Sequence, residues 1–294
     1  MTGNGNNPNV TVATPPGNRV RASGPILILA MLFVVASFLT WYFTWFGREL
    51  SDAEISKYLV DEKHPRHVQH ALLQIQQRIE RRDQTAKRWY PQILTLAANP
   101  ETEFRLTVAW LMGLDNESDD FHQALGKLVR DSEPIVRRNA ALALVRFNDP
   151  SGREELVAIL QPHSVRATTE GVVTSTLHEG SQIARGALLA RIMQPENRVT
   201  EIRSPLPARV AKILAPNGTN ISAGGIILTL KSDDESLWEA LRGLSLIGEA
   251  QDLAAVDLYA RGVDSVPDRI KQQAALTAKA IQSRANSNRE AIRQ

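Results

Sequence analysis

Three histidines, His64, His67 and His70, fall in the stretch Lys-His-Pro-Arg-His-Val-Gln-His-Ala-Leu-Leu. On a helix, residues three apart share a side. His67 and His70 would then present two imidazoles together, as a zinc-type metal requires. The chain has no cysteine and no HExxH context, so a polar helix with incidental histidines is expected. No metal site follows, with His67 and His70 the candidates if one exists. Asp115–Asp120 (Asp-Asn-Glu-Ser-Asp-Asp) is dense in oxygen ligands. A calcium loop needs glycine at its sixth position and a carboxylate at its twelfth. Asp120 and Gly126 stand there, so the stretch is read as a solvated loop. Gly-rich phosphate loops, a GxSxG elbow and a CxxCH haem site are absent. The chain is therefore expected to be no enzyme, to carry no cofactor and to take no small-molecule substrate. The net charge of +2, with basic residues interleaved among acidic ones, argues against a nucleic-acid surface. The side chains best suited to meet a protein partner are guanidinium groups on solvent-facing helix positions: Arg105, Arg137 and Arg138.

Helices are what must position these groups. Residues 134–147 (Pro-Ile-Val-Arg-Arg-Asn-Ala-Ala-Leu-Ala-Leu-Val-Arg-Phe) set Val136, Ala140, Leu144 and Phe147 on one face. Pro134 stands at the helix start, where its missing N–H does no harm. The same layout recurs 32 residues earlier: Leu96, Asn99, Arg105 and Ala109 match Leu128, Asp131, Arg137 and Ala141. A fainter copy runs through Pro65, Ala71, Leu72 and Ile75. A period of 20–50 residues is the mark of a solenoid. The motif Asp-Ser-Glu-Pro-Ile-Val-Arg-Arg-Asn-Ala-Ala-Leu-Ala-Leu (131–144) is similar to the HEAT-type helical repeat. HEAT-like repeats are expected over 48–160. A further helical segment is expected over 235–284, where Pro-Asp-Arg-Ile-Lys-Gln-Gln-Ala-Ala-Leu-Thr-Ala-Lys-Ala-Ile (267–281) echoes 134–147. Residues 285–294 are expected to fray.

Between these segments the period falls to two. Val172, Gly180, Ile183, Gly186, Leu188 and Ile192 recur 38 residues later as Val210, Gly218, Ile221, Gly224, Ile226 and Leu230. Alternating apolar residues bounded by glycine mark strands and tight turns. Residues 179–192 and 201–230 resemble the biotinyl/lipoyl-carrier domain (a barrel-sandwich hybrid), and the expected module spans 164–231. In carriers of that family the cofactor lysine sits on the hairpin between the halves. Counting back from Ser204-Pro205, Asn197 holds that position. An amide cannot replace the amine that accepts biotin or lipoate, so the resemblance implies a structural relative. A biotin or lipoate carrier is the disfavoured alternative.

Residues 25–46 carry no charge, are long enough for a membrane-spanning helix, and crowd Trp41, Tyr42, Phe43, Trp45 and Phe46 at one end, as at an interface. The expected class is α+β and multidomain: a disordered tail (1–24), a single N-terminal transmembrane helix (25–46), an α-solenoid of HEAT-like repeats, and a small all-β biotinyl/lipoyl-like sandwich between helical segments. Arg19 and Arg21 before the span balance Arg48 and Lys57 after it. The missing cysteines, and a plan of one anchor plus a lipoyl-like domain that resembles periplasmic adaptor (membrane-fusion) proteins, favour a periplasmic body. The expectation is a bacterial, single-pass inner-membrane scaffold that binds proteins by contact. The alternative is a membrane-fusion-like transport subunit. The long helical hairpin usual between the lipoyl halves is missing: only Met193–Glu201 separates them.

Overall fold

The computed structural model describes residues 24–45, 48–262 and 266–293. The chain divides into two units, Met1–Glu49 and Leu50–Gln294. In the first, helix α1 (Gly24–Trp45) exposes Leu29 and Phe33. Among the described residues no helix is long and apolar enough to cross a membrane. This corrects the expected transmembrane segment 25–46 and the single-pass inner-membrane placement that followed from it. The side chains of the expected aromatic belt at Trp41–Phe46, and residues 1–23 of the expected tail (1–24), lie outside the described residues.

The second unit is built from helices in pairs. They are α2 (Asp52–Leu59) with α3 (Pro65–Glu80), α4 (Tyr90–Leu96) with α5 (Thr102–Met112), and α6 (Asp119–Leu128) with α7 (Pro134–Arg146). Then follow α8 (Arg153–Ile159) with α9 (Asp234–Ile247) and α10 (Leu253–Ala260) with α11 (Asp268–Arg293). The second member of each pair packs on the next: α3 on α5, α5 on α7, α7 on α9, α9 on α11. Local chemistry sets the starts. Ser51 and Glu54 form a reciprocal capping box at α2. Ser118 caps α6 and Asp233 caps α9. Pro65 and Pro134 open α3 and α7. Positions 32 residues apart are buried alike: Phe104 with Val136, Val108 with Ala140, Ala109 with Ala141, Met112 with Leu144.

The small residues in this pattern let backbones meet. A Cβ on Gly152, in the turn before α8, would fall 2.7 Å from Ala141 Cα and 2.9 Å from its Cβ. Neither atom can swing aside. Gly126, inside α6, has nothing within 4 Å of the same atom. Gly152→Ala is therefore expected to destabilise the protein by about 1–3 kcal/mol through overpacking. Gly126→Ala should stabilise it by about 0.5–1 kcal/mol through helix propensity. Urea unfolding of the two variants measures both signs.

The chain between α8 and α9 forms eight strands: β1 (His163–Arg166), β2 (Gly171–Thr174), β3 (Gln182–Ile183), β4 (Leu188–Met193), β5 (Val199–Arg203), β6 (Ala208–Ile213), β7 (Asn220–Ile221) and β8 (Ile226–Ser232). They make two antiparallel four-stranded sheets, β1-β8-β6-β3 and β5-β4-β2-β7. Val165, Val210, Ile227 and Leu230 of one sheet share a core with Val173, Ile192 and Ile202 of the other. The 38-residue offset is visible in the turns. Gly180 and Gly218 both have φ +87°, and Gly186 and Gly224 have +77° and +81°. Gly180 N–H donates to the Val210 carbonyl, and Gly218 N–H to that of Val173.

No hydrogen-bonded ladder joins the two sheets among the described residues. Strands β3 and β7 have two residues each, too short to run from one sheet into the other. The expected fold class is corrected accordingly. The described chain holds eleven α-helices and two small sheets, with neither a closed barrel-sandwich nor a helix fit to span a bilayer.

Candidate interaction surface

The arginines expected to face solvent turn inward. Arg105 Nε and Nη2 donate to the two carboxylate oxygens of Asp131 at 2.7 and 3.0 Å. Its Nη1 donates to the carbonyls of Asn99 and Pro100, both at 2.9 Å. Arg137 repeats the arrangement one repeat later: Nη1 reaches the carbonyls of Asp131 and Ser132, and Nε reaches Glu155 at 3.0 Å. Asn99 and Asp131 each accept a backbone N–H two residues on, from Glu101 and Glu133. Each repeat thus ties its own inter-helix turn to its own helix, and Asp131 carries the tie into the preceding repeat.

Arg138 is buried under the first sheet. Its side chain borders a crevice with His163, Leu206, Leu230 and Ser232. Its Nε is buried without a hydrogen-bond partner and lies 3.8 Å from Glu155 Oε1. Burial pulls its pKa down, against the pull of Glu155 and Asp233. Burial likewise lowers the His163 imidazole pKa, helped by Arg138 and Arg137. Arg185, in the β3–β4 turn, pairs with Glu103 of α5. These contacts seat the β module on the helices.

Asn197 lies exposed on the β4–β5 hairpin with φ +56°. Sequence reasoning placed it between the two halves, and that hairpin does connect them. His67 and His70 do not converge on each other. His67 Nδ1 meets Asp61 instead, at 2.7 Å, and His64 joins the same carboxylate. His70 Nε2 lies 3.1 Å from the Gln74 amide nitrogen.

What solvent does see on the repeat stack is a groove of about 500 Å³ between α5, α7 and α9. Trp110 and Leu246 stand at its edges, 41% and 60% exposed. Leu142, Arg146, Arg242 and Glu239 line it. The Arg242 guanidinium lies 4.6 Å over the Trp238 ring, a contact that fixes its direction. Burial, then the nearby Glu235 and Asp233, push the Glu239 carboxyl above its ordinary value. A second concavity of about 460 Å³ shares Leu246 and adds Ile281, Arg284 and Arg289 of α11. Sequence reasoning missed this surface. Its one signal was Trp110, which falls off the stripe formed by Phe104, Val108, Leu111 and Met112.

A family model described as HEAT repeats matches residues 90–172, which bears out the helical-repeat character of this region. No curated protein matches the chain. Among solved structures, a single-chain, multi-domain long-chain acyl-CoA carboxylase is similar over 35% of this chain, at 18% identity and a TM-score of 0.23. The match spans 9% of that carboxylase. An engineered protein is similar over 79% of both chains, at 15% identity and a TM-score of 0.40.

Proposed function

We propose, from the helical-repeat character of the chain, that it is a protein-binding scaffold that holds a peptide segment in the groove between α5, α7 and α9. The supporting observation is the pairing of two large exposed apolar side chains, Trp110 and Leu246, with two guanidinium groups, Arg146 and Arg242. Large apolar residues elsewhere in the stack are mostly buried in its cores. The fitting occupant is an amphipathic segment with apolar anchors and at least one carboxylate for the arginines. The scaffold acts by contact, without catalysis. In this reading the strand module at 164–231 is a two-sheet body built on a half-repeat. With an amide at Asn197, it serves as a rigid body instead of a swinging arm.

The test is photo-crosslinking in cells from a benzophenone amino acid at position 142, followed by mass spectrometry and by binding of the recovered peptide to purified protein. Leu246→Asp and Arg242→Glu should each weaken that binding at least tenfold, with melting temperatures near that of the parent. A peptide bound equally well by both variants would end the groove assignment.

A further inference from the structure

We propose that Asp61, His64 and His67 form a site for a divalent transition metal of the zinc class. It lies in the turn between α2 and α3, away from the groove, and does not rest on the scaffold reading.

The backbone brings the three residues into register. His64 N–H donates to the Asp61 carbonyl at 2.9 Å, and His67 N–H to the His64 carbonyl at 2.8 Å. Successive bonds of this i, i+3 type wind three residues per turn, so side chains three apart stack on one side. Both imidazoles accordingly point Nδ1 at one carboxylate. His64 Nδ1 lies 2.9 and 3.0 Å from the two oxygens of Asp61, and His67 Nδ1 lies 2.7 Å from one of them. One ligand atom from each residue can be chosen so that all lie within 4.8 Å of one another. Around tetrahedral zinc, with bonds of about 2.0–2.1 Å, ligand atoms sit roughly 3.3 Å apart. The carboxylate–imidazole separations of 2.7–3.0 Å would each open by about 0.3–0.6 Å to take a metal.

Two neighbours hold the geometry. The His67 ring stacks on Tyr58, with centroids 4.3 Å apart and planes 10° from parallel. The His64 ring lies 5.1 Å from that of His67. Hydrogen bonds from His67 and then His64 keep the Asp61 carboxyl below its ordinary value, so it is charged at neutral pH. The positive end of the α3 dipole opposes a cation here. One ligating carboxylate and two imidazoles outweigh that.

Two imidazoles and a carboxylate suit zinc, cobalt or nickel, and not the all-oxygen shells of calcium or magnesium. The three side chains are 26%, 64% and 41% exposed. Three protein ligands on an open face leave the fourth position for water or for a donor from another molecule.

The test is calorimetric titration of the full chain with Zn²⁺ and Co²⁺, beside Asp61→Asn, His67→Ala and His70→Ala. One Zn²⁺ per chain is expected. Asp61→Asn and His67→Ala should weaken it at least tenfold, and His70→Ala should leave it unchanged. Thermal melts without metal check that the variants fold. If a variant fails that check, zinc-induced shifts of the His64 and His67 ring protons in the parent protein provide the second measurement. The absence of saturable binding below millimolar zinc would overturn the assignment. So would binding that survives both substitutions, or loss in His70→Ala equal to that in His67→Ala.

Discussion

Asp131→Ala should lower the unfolding free energy by about 3–5 kcal/mol, the usual range when one partner of a buried ion pair is removed. The pair merits that range because its side chains are only 11% and 9% exposed, so solvent screens little. The substitution removes two charge-assisted bonds from Arg105 and the turn-closing bond to Glu133 N–H. Arg105 keeps the two carbonyls but loses its counter-charge. For a chain of this size the melting temperature should fall by roughly 10 °C. Arg269→Ala, which breaks a pair whose partners are 53% and 60% exposed, should have no measurable effect. Acid provides a second readout. Burial raises the Asp131 pKa, but the bonds from Arg105 and Glu133 prevail and hold it below 3.8. A carboxylate lowered on folding contributes its full stability above its unfolded value and loses it as pH falls through the folded one. The gap between parent and Asp131→Ala should therefore be constant above about pH 5 and should narrow on acidification below 4. A gap independent of pH would show that the ion pair is not its source.

That interaction shows what the sequence made legible and what it did not. The 32-residue offset matched Arg105 to Arg137 and Asn99 to Asp131, and the repeats follow from it. The role of the arginines was misjudged because helical periodicity sorts apolar from polar positions only. It cannot tell a solvated guanidinium from one bound to a carboxylate 26 residues away. Arg138 was misjudged for another reason: it is covered by a module that enters the chain later. The strand module was legible because its turns need positive φ, which glycine at matched positions announces. Asp61 was overlooked as a partner of His67 because helical spacing was counted only inside the helix, and Asp61 lies in the turn before it. The groove had a single sequence signal, Trp110, and its other walls were not legible. Leu142 and Leu246 become neighbours only because α7 and α9 pack across the intervening strands. The run at 25–46 misled in the opposite direction: its length, lack of charge and aromatic end carried a membrane assignment, yet no described helix is long and apolar enough to cross a membrane.

The order of elements sets up a sharper contrast. The strands lie between α8 and α9, yet those helices pack on each other. Leu156, Ile159 and Leu160 share one apolar cluster with Leu237, Leu241 and Leu244. Entry and exit of the module are adjacent, because His163 pairs with Leu230 across β1 and β8, a separation of about 5 Å. Replacing residues 163–231 by a short Gly/Ser linker should therefore leave the helical array folded, provided the Asp233 cap of α9 is kept. The Arg138 guanidinium would regain water, which offsets part of the lost contact with the module. The groove residues are all retained, so peptide binding should be retained too. Ending the chain after Ser232 should do the opposite. It deletes α9–α11 and uncovers Ala141, Leu156 and Ile159. The helices lost bury Leu237, Leu241, Leu244, Ile247, Val256, Ile270 and Ile281. At about 1.5–3 kcal/mol for each such side chain, the burial lost is of the same order as the 5–15 kcal/mol that keeps a typical protein folded. Circular dichroism, melting and limited proteolysis distinguish the two variants: the linker variant should give a cooperative helical melt, the truncation a protease-sensitive chain. A non-cooperative linker variant would mean that the strand module helps to hold the helices together.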